Sequence, residues 1–278
     1  MDENNIAFLY VMYDSDIPLL YLSCVCLNKN WHGPKNIVIV DDHTTIEYKS
    51  IINAVLPNWK ITYLAGCRTN FELGSHYDSG WYRQQVYKLV APIETSYDWL
   101  IILDCKNLMI KKCYTTDFIS DGFELVTGSG PAQEMRESWP YTNANNYTLR
   151  MSQESKQLVN GIDPELLIHT TTPQLFNRHV LVEMNDKFEF AKMKSWIGTE
   201  FLTYWYYYNT YHQPKWMRKQ NVVMWSLDVP FSSDYMFYNL YKADTTKFRQ
   251  LSLMILVIMG IIDATEANKF YKLLSNNI

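Results

Sequence analysis

Four short apolar runs, separated by segments of helical length, constrain the fold more than any other feature of this sequence. The runs are residues 6–13, 37–40, 61–64 and 99–103. Continuous apolar runs of this length are typical of strands that are covered on both faces. The intervening segments with the length and pattern of crossover helices are residues 18–28, 45–55 and 80–91. This order predicts an α/β fold with a mostly parallel central sheet flanked by helices.

The rest of the chain predicts further helices and no second domain. Thr172 followed by Pro173 is typical of a helix start and predicts a helix that runs to about Met184. Two more helices are predicted over residues 199–211 and within 251–274. The length of 278 residues suits one large domain or two small ones, and no low-complexity linker divides the chain. We therefore expect a single domain over 1–278, with halves 1–125 and 126–278 and a helical C-terminal part.

Composition and charge exclude several classes of protein. Hydrophobic residues make up 47% of the chain and charged residues 19%, which argues against disorder. A net charge of −4 without a basic stripe gives nucleic-acid binding little electrostatic support. The longest apolar run, residues 251–262, is too short for a transmembrane helix. An odd number of cysteines, five, and an acidic N-terminal sequence favour a cytoplasmic protein.

Three of the four apolar runs end in carboxylates. Asp14, Asp42 and Asp104 each stand at the end of a predicted strand, and Tyr13 precedes the first of them. Ligands of open parallel sheets bind outside the carboxyl ends of the strands, so these side chains are predicted to lie along a ligand-binding edge. An aspartate in this position also starts a turn or caps a helix, and the pattern leaves that interpretation open.

The predicted helix over residues 80–91 combines basic and amide side chains. Helical spacing places Tyr82, Val86 and Leu89 on the face that packs on the sheet. Arg83, Gln84 and Lys88 then lie on other sides, beside a strand that ends in Asp104. Such a helix is suited to holding a diphosphate, but the spacing alone favours a solvated helix surface.

Four segments together resemble a known family. They are Trp81-Tyr82-Arg83-Gln84-Gln85 with Lys88-Leu89, Leu103-Asp104-Cys105-Lys106-Asn107, Thr172-Pro173-Gln174-Leu175-Phe176, and Gly198-Thr199-Glu200-Phe201-Leu202-Thr203-Tyr204-Trp205. In this order they resemble the DUF6492 group, a bacterial and phage family of glycosyltransferase-like proteins, over roughly residues 5–210. The resemblance implies a GT-A-like, Rossmann-like fold and transfer of a sugar from a nucleotide-sugar donor to an acceptor hydroxyl.

The resemblance also implies roles for residues near the donor diphosphate. In GT-A enzymes a short acidic motif after the central strand holds Mn²⁺ or Mg²⁺, and Asp104 occupies that place. The common second carboxylate is replaced by Lys106, which puts metal dependence in doubt and offers a fixed positive charge instead. The donor site is then expected to contain Tyr13, Asp14, Asp42, Arg83, Gln84, Gln85, Lys88, Lys106 and Asn107.

The acceptor side is expected to contain Glu200, Thr172 and Pro173. Glu200 would bind or deprotonate the acceptor hydroxyl, as a catalytic base does. A carboxylate near the start of a helix is also favoured by the helix dipole, and helix capping accounts for Thr172 and Pro173.

The leading hypothesis is a glycosyltransferase that uses a UDP- or GDP-sugar and a sugar or glycan acceptor. The alternative is a catalytically inactive relative that binds a nucleotide or sugar without turnover, which the missing second carboxylate favours. A nucleotidyltransferase ranks last, because residues 13–18 contain neither the glycine nor the basic residue that such enzymes place after the first strand.

Overall fold

The structure of the chain is a computed structural model. It describes residues 5–42, 44–45, 47–66, 79–120, 123–126, 129–131, 147–162, 166–168, 172–190, 198–218, 223–225, 236–239, 253–254, 256–257 and 260–275. Part of the predicted C-terminal helix, residues 251–252, 255 and 258–259, lies outside these ranges. Within them, no helix combines the length and the apolar character that crossing a membrane requires.

A five-stranded, mostly parallel sheet forms the centre of the α/β fold, as the sequence predicts. Its strands are β1 (Ile6–Met12), β2 (Asn36–Asp41), β3 (Lys60–Ala65), β4 (Trp99–Leu103) and β10 (Gln174–Asn177). Their order across the sheet is β10-β4-β1-β2-β3. β2 is parallel to both β1 and β3, whereas β10 is antiparallel to β4. The four predicted apolar runs are therefore four strands of one sheet.

Seven helices are described, and the first three connect the parallel strands as predicted. The helices are α1 (Ile17–Asn30), α2 (Lys49–Val55), α3 (Ser79–Val90), α4 (Tyr147–Val159), α5 (Arg178–Phe188), α6 (Glu200–Tyr211) and α7 (Ala264–Ser275). All seven residues of β1 are buried, and so are twelve of the fourteen residues of α1. Burial on every side explains why both segments read as nearly continuous apolar sequence rather than as alternating patterns.

Smaller sheets complete the described structure. Their strands are β5 (Asn107–Met109), β6 (Ile119–Ser120), β7 (Phe123–Val126), β8 (Ser129–Pro131), β9 (Leu166–Ile168), β11 (Lys215–Arg218), β12 (Val223–Trp225) and β13 (Phe237–Asn239). The strand orders are β11-β7-β6, β12-β13-β5 and β8-β9.

The chain divides into two compact units that each use separate stretches of sequence. Unit 1 comprises Met1–Ile6, Cys67–Ile102 and Phe118–Gln220, and unit 2 comprises Ala7–Gly66, Leu103–Asp117 and Asn221–Ile278. Unit 1 contains helices α3 to α6, and unit 2 contains α1, α2 and α7. The expectation of one domain with halves at 1–125 and 126–278 stays a prediction.

The segment after Thr172 differs from the prediction. Instead of a helix from Pro173, residues Gln174–Asn177 form β10, and helix α5 begins at Arg178. The cap is the side chain of Asn177, whose Oδ1 accepts the backbone N–H of His179 at 2.9 Å. Pairing with β4 satisfies the backbone of β10 and buries Leu175 and Phe176. Tertiary pairing has overridden the local helix signal here.

Candidate functional site

A polar cleft of about 340 Å³ lies at the carboxyl ends of β2 and β3, within unit 2. Its lining residues are Asp41, Thr44, Lys49, Tyr63, Leu64 and Ala65. The Nζ atom of Lys49 lies 5.2 Å from the centre of the Tyr63 ring. The cleft thus presents one carboxylate, one ammonium group and one aromatic ring at the sheet edge where ligands of α/β proteins bind.

Asp41 is held in place by two hydrogen bonds. Its Oδ1 accepts the backbone N–H of Thr44 at 2.8 Å, and its Oδ2 accepts the hydroxyl of Tyr48 at 3.1 Å. Burial, together with the charge of Asp41, raises the pKa of Tyr48, so this phenol stays a hydrogen-bond donor at neutral pH. A carboxylate offers about four lone-pair sites, so a ligand hydroxyl can still donate to Asp41.

Tyr63 stands between the cleft and helix α2. Its hydroxyl donates to Asn53 Oδ1 at 3.0 Å. Burial, followed by the nearby Cys24 thiol and Glu47, raises the pKa of Tyr63 to about 12. The ring is therefore neutral at physiological pH, and it is suited to stacking against a planar or sugar ring.

The carboxylates predicted after β1 and β2 occupy different environments. Asp14 is half-buried, and its carboxylate accepts the backbone N–H and the hydroxyl of Thr45 at 2.9 and 2.8 Å. Tyr13 is half-buried beside it, whereas Asp42 is buried. The cleft is lined by Asp41 and not by Asp42. Asp14 therefore binds Thr45, a few residues after the end of β2, and its role at the donor site stays a prediction.

A tight turn follows β4 at Asp104-Cys105-Lys106-Asn107. The backbone N–H of Asn107 donates to the Asp104 carbonyl at 2.9 Å, and the Asn107 Oδ1 accepts the backbone N–H of Asp104 at 2.7 Å. The Asp104 carboxylate lies 3.5 Å from the Lys106 ammonium group, and these side chains are 27% and 28% exposed. The turn thus presents a carboxylate and a cation side by side, both partly accessible.

Buried contacts within unit 2 fix this turn to β1 and α1. The hydroxyl of Ser23 donates to the Asn107 carbonyl at 2.6 Å and shares a 2.8 Å hydrogen bond with Tyr10. The thiol of Cys105 lies 3.7 Å from the Val11 carbonyl. Since Asn107 is buried, these contacts make it the anchor of the turn. Its Nδ2 is buried and has no hydrogen-bond partner among the residues described.

The expected ligand of Mn²⁺ or Mg²⁺, Asp104, stands in a turn of mixed charge, and its role as a metal ligand stays a prediction. Within the described ranges, no three His, Cys, Asp or Glu side chains form a group that could hold a metal ion. Asp104 is the turn's one carboxylate, and the Lys106 ammonium group stands beside it. Mg²⁺ and Mn²⁺ prefer several oxygen ligands, and a neighbouring lysine repels them.

Helix α3 distributes its predicted donor-site residues between two environments. Arg83 and Gln84 are half-buried, whereas Gln85 and Lys88 are buried. Lys88 does not lie on a solvated surface, because its Nζ forms an ion pair with Glu200 Oε1 at 3.1 Å. The side chains of this pair are 6% and 5% exposed.

Glu200 is the first residue of helix α6, as predicted. Thr199 is the N-cap, and its hydroxyl accepts the backbone N–H of Leu202 at 3.1 Å. The backbone N–H of Glu200 donates to Gln85 Oε1 at 3.2 Å. The positive end of the helix dipole favours the ionised carboxylate in this position. Thr172, the other acceptor-side candidate, is buried next to Pro173 and precedes β10.

A sequence model of a family of unknown function, DUF6492, matches residues 17–260 of the chain. The chain belongs to the DUF6492 family. This match covers most of the sequence and includes the Asp41 cleft, the Asp104 turn and the Lys88–Glu200 pair. No curated protein sequence matches this DUF6492 chain.

The structure changes how the predicted residues of this DUF6492 protein are grouped. Asp104 and Lys106 pair with each other in unit 2, and Lys88 pairs with Glu200 in unit 1. The predicted convergence of all of these side chains with Arg83 on one diphosphate stays a prediction. The sequence-based list omitted the cleft residues Asp41, Thr44, Lys49 and Tyr63. Asp41 and Thr44 lie at or just after the end of β2, whereas Lys49 begins α2 and Tyr63 lies within β3. No shared pattern in the sequence therefore marks these four residues.

Proposed function

We propose that this protein is a nucleotide-sugar-dependent glycosyltransferase that moves a sugar from a nucleotide diphosphate onto an acceptor hydroxyl. The observation that supports the proposal most is the cleft at the carboxyl ends of β2 and β3. Its aromatic ring suits a nucleobase or ribose face, its carboxylate suits ribose hydroxyls, and its lysine suits a phosphate. The resemblance to glycosyltransferase-like proteins favours this use of the cleft.

The Asp104 turn is assigned to the diphosphate in this proposal. Lys106 supplies a fixed positive charge that offsets the charge developing on the leaving group, and Asp104 orients that ammonium group. Glu200 is assigned to the acceptor. The acceptor oxygen bonds to the anomeric carbon as the bond from that carbon to the diphosphate oxygen breaks. The nucleoside diphosphate leaves with the electron pair, and the hydroxyl proton passes to Glu200.

Binding of a nucleoside diphosphate tests the proposal without knowledge of the acceptor. UDP or GDP is expected to raise the melting temperature, because a ligand at about 100 times its Kd adds about 2.7 kcal/mol to the free energy of unfolding. Differential scanning fluorimetry over a panel of UDP, GDP, CDP, ADP and dTDP measures the effect.

Two tyrosine variants connect that shift to the cleft. Tyr63→Ala should remove most of the increase in melting temperature that the nucleoside diphosphate causes. Tyr114→Ala is the matched control, because Tyr114 is an exposed tyrosine of unit 2 that does not line the cleft. A panel with no stabilising diphosphate, or a Tyr63→Ala protein that responds like the wild type, would contradict the proposed site.

Metal removal gives a second expected outcome. Since Lys106 occupies the place of a metal-binding carboxylate, hydrolysis of the stabilising nucleotide sugar should change less than about twofold in EDTA. Lys106→Met should lower the hydrolysis rate by about 10²–10³, the typical cost of removing one electrostatic stabiliser of a transition state. Loss of activity in EDTA with recovery on adding Mn²⁺ would instead make Asp104 a metal ligand.

The second candidate is a catalytically inactive nucleotide- or sugar-binding relative. The pairing of Asp104 with Lys106 favours it, since the turn's one carboxylate is engaged. Calorimetric binding of a nucleotide sugar without hydrolysis or transfer would support this candidate over the enzyme.

The proposal includes partners and a location. The donor is a UDP- or GDP-sugar and the acceptor is a sugar or glycan. Both molecules carry hydroxyl groups, which the proposal assigns to the carboxylates of Asp41 and Glu200. A nucleotide sugar is a metabolite of the cytoplasm, and the mixed-charge sequence with an odd cysteine count is compatible with that compartment.

A further inference from the structure

A buried polar cluster joins helices α3 and α6 in unit 1. Lys88 forms the ion pair with Glu200, and Gln85, one turn earlier on α3, accepts the Glu200 backbone N–H. The Lys88 ammonium group also lies 5.0 Å from the ring centre of Phe201. Removing two opposite charges from water is costly, and packed apolar side chains of similar volume often stabilise a protein as well or better. The cluster therefore calls for an explanation other than stability.

The amide of Gln85 has a defined orientation and an unsatisfied end. Because its Oε1 accepts the Glu200 N–H, the other end of the amide must be Nε2. That nitrogen is buried and has no hydrogen-bond partner among the described residues. The whole side chain is 2% exposed. Buried donors in native structures usually have an acceptor, so the Gln85 Nε2–H is available to a bound water or ligand.

The chemistry of the cluster selects the missing group. It must offer a lone pair to the Gln85 Nε2–H, and it can donate a proton to the Glu200 carboxylate. A hydroxyl does both with one oxygen atom. An anion such as phosphate would be repelled by Glu200, and a cation would be repelled by Lys88.

We propose that Gln85 and Glu200 together bind a hydroxyl group of the acceptor sugar. The Gln85 amide donates to the hydroxyl oxygen while the Glu200 carboxylate accepts the hydroxyl hydrogen. Lys88 is a positioning residue, because its ammonium group holds one oxygen of Glu200. This assignment moves Gln85 from the donor site to the acceptor site. It rests on the proposed function in one respect only, that the hydroxyl belongs to an acceptor.

The test uses nuclear magnetic resonance spectroscopy to observe the side-chain amide of Gln85 directly. In ¹⁵N-labelled wild-type protein, the amide resonances of Gln85 are the pair that disappears in Gln85→Met. Free glucose, galactose, mannose and N-acetylglucosamine are titrated with and without UDP and GDP. We expect at least one sugar to shift these resonances saturably.

Matched variants separate hydroxyl binding from a general effect on folding. Glu200→Gln should weaken the affinity of the responding sugar about tenfold or more, because a hydrogen bond to a charged group is lost. Glu94→Gln should leave it unchanged, since Glu94 is an exposed carboxylate of the same unit. Lys88→Arg keeps the positive charge and should retain more of the affinity than Lys88→Met.

Two results would overturn the inference. One is a Gln85 amide that responds to none of the sugars, which would leave a structural water only as its partner. The other is a Glu200→Gln protein whose affinity for the responding sugar equals that of the wild type. Nucleotide binding at the Tyr63 cleft is measured separately, so a failed sugar titration with intact nucleotide binding rejects this inference and keeps the proposed function. Sugar binding without nucleotide binding would reject the transferase and keep the hydroxyl site.

Discussion

Lys88→Met is expected to lower the free energy of unfolding by about 3–5 kcal/mol, the typical cost of leaving one charge of a buried ion pair without its partner. The substitution keeps the length of the side chain, so the main change is the loss of the ammonium group from Glu200 Oε1, 3.1 Å away. The remaining carboxylate would be almost completely buried. Urea denaturation followed by circular dichroism measures the difference, provided that the slope of the transition stays the same.

A control variant and a double variant make this expectation specific. Lys112→Met removes an exposed lysine and should change the free energy of unfolding by less than about 0.5 kcal/mol. Lys88→Met with Glu200→Met removes both charges and should recover part of the lost stability, which a double-mutant cycle expresses as a coupling energy. A Lys88→Met protein as stable as the wild type would show that the pair is not buried in solution.

Burial of this pair restricts what Glu200 can do in its proposed role as a base. A flexible surface glutamate would sample many rotamers, whereas the contact with Lys88 and the helix start fix this carboxylate in one place. Preorganised groups of this kind lose little entropy when a substrate binds. In the proposed mechanism, the same 3.1 Å contact therefore affects both the stability of the protein and the position of the base.

The central sheet could be predicted because its sequence signal is direct. β1 and β4 are buried along their whole length and β2 over its middle four residues, and buried strands read as unbroken apolar runs. β3 at the edge of the sheet is only half-buried, but its apolar residues 61–64 still form such a run. Helices α1 to α3 could be predicted because the segments between these runs have the length of crossover helices. The element that failed, β10, is short and follows Thr172-Pro173, which favours a helix start locally. Its strand conformation depends on pairing with β4, which no local pattern records.

The site could be predicted only in part. Asp41 and Asp42 are adjacent at the end of β2, and successive residues of a strand face opposite sides. The cleft is lined by Asp41, whereas the role of Asp42 at the donor site stays a prediction. Lys88 looked like a phosphate-binding or solvated residue. Its pairing with Glu200, 112 residues away, arises from the packing of α3 on α6 and has no signature in either segment.

Glu200→Gln is expected to lower the rate of sugar transfer or donor hydrolysis by about 10²–10⁴, the usual contribution of a positioned general base. The amide keeps the size and shape of the carboxylate but cannot take the hydroxyl proton. The affinity for the nucleoside diphosphate should stay within about twofold of the wild type, since the Asp41 cleft is unchanged. The rate is measured with the nucleotide sugar whose diphosphate gives the largest thermal shift.

The comparison must separate lost chemistry from lost folding, because Glu200→Gln also removes the charge opposite Lys88. Rates are therefore measured at a temperature where circular dichroism shows the variant to be folded, with Glu94→Gln as the matched exposed substitution. A variant that is folded, binds nucleotide and turns over like the wild type would leave Glu200 as a structural partner of Lys88 and would require another residue as the base.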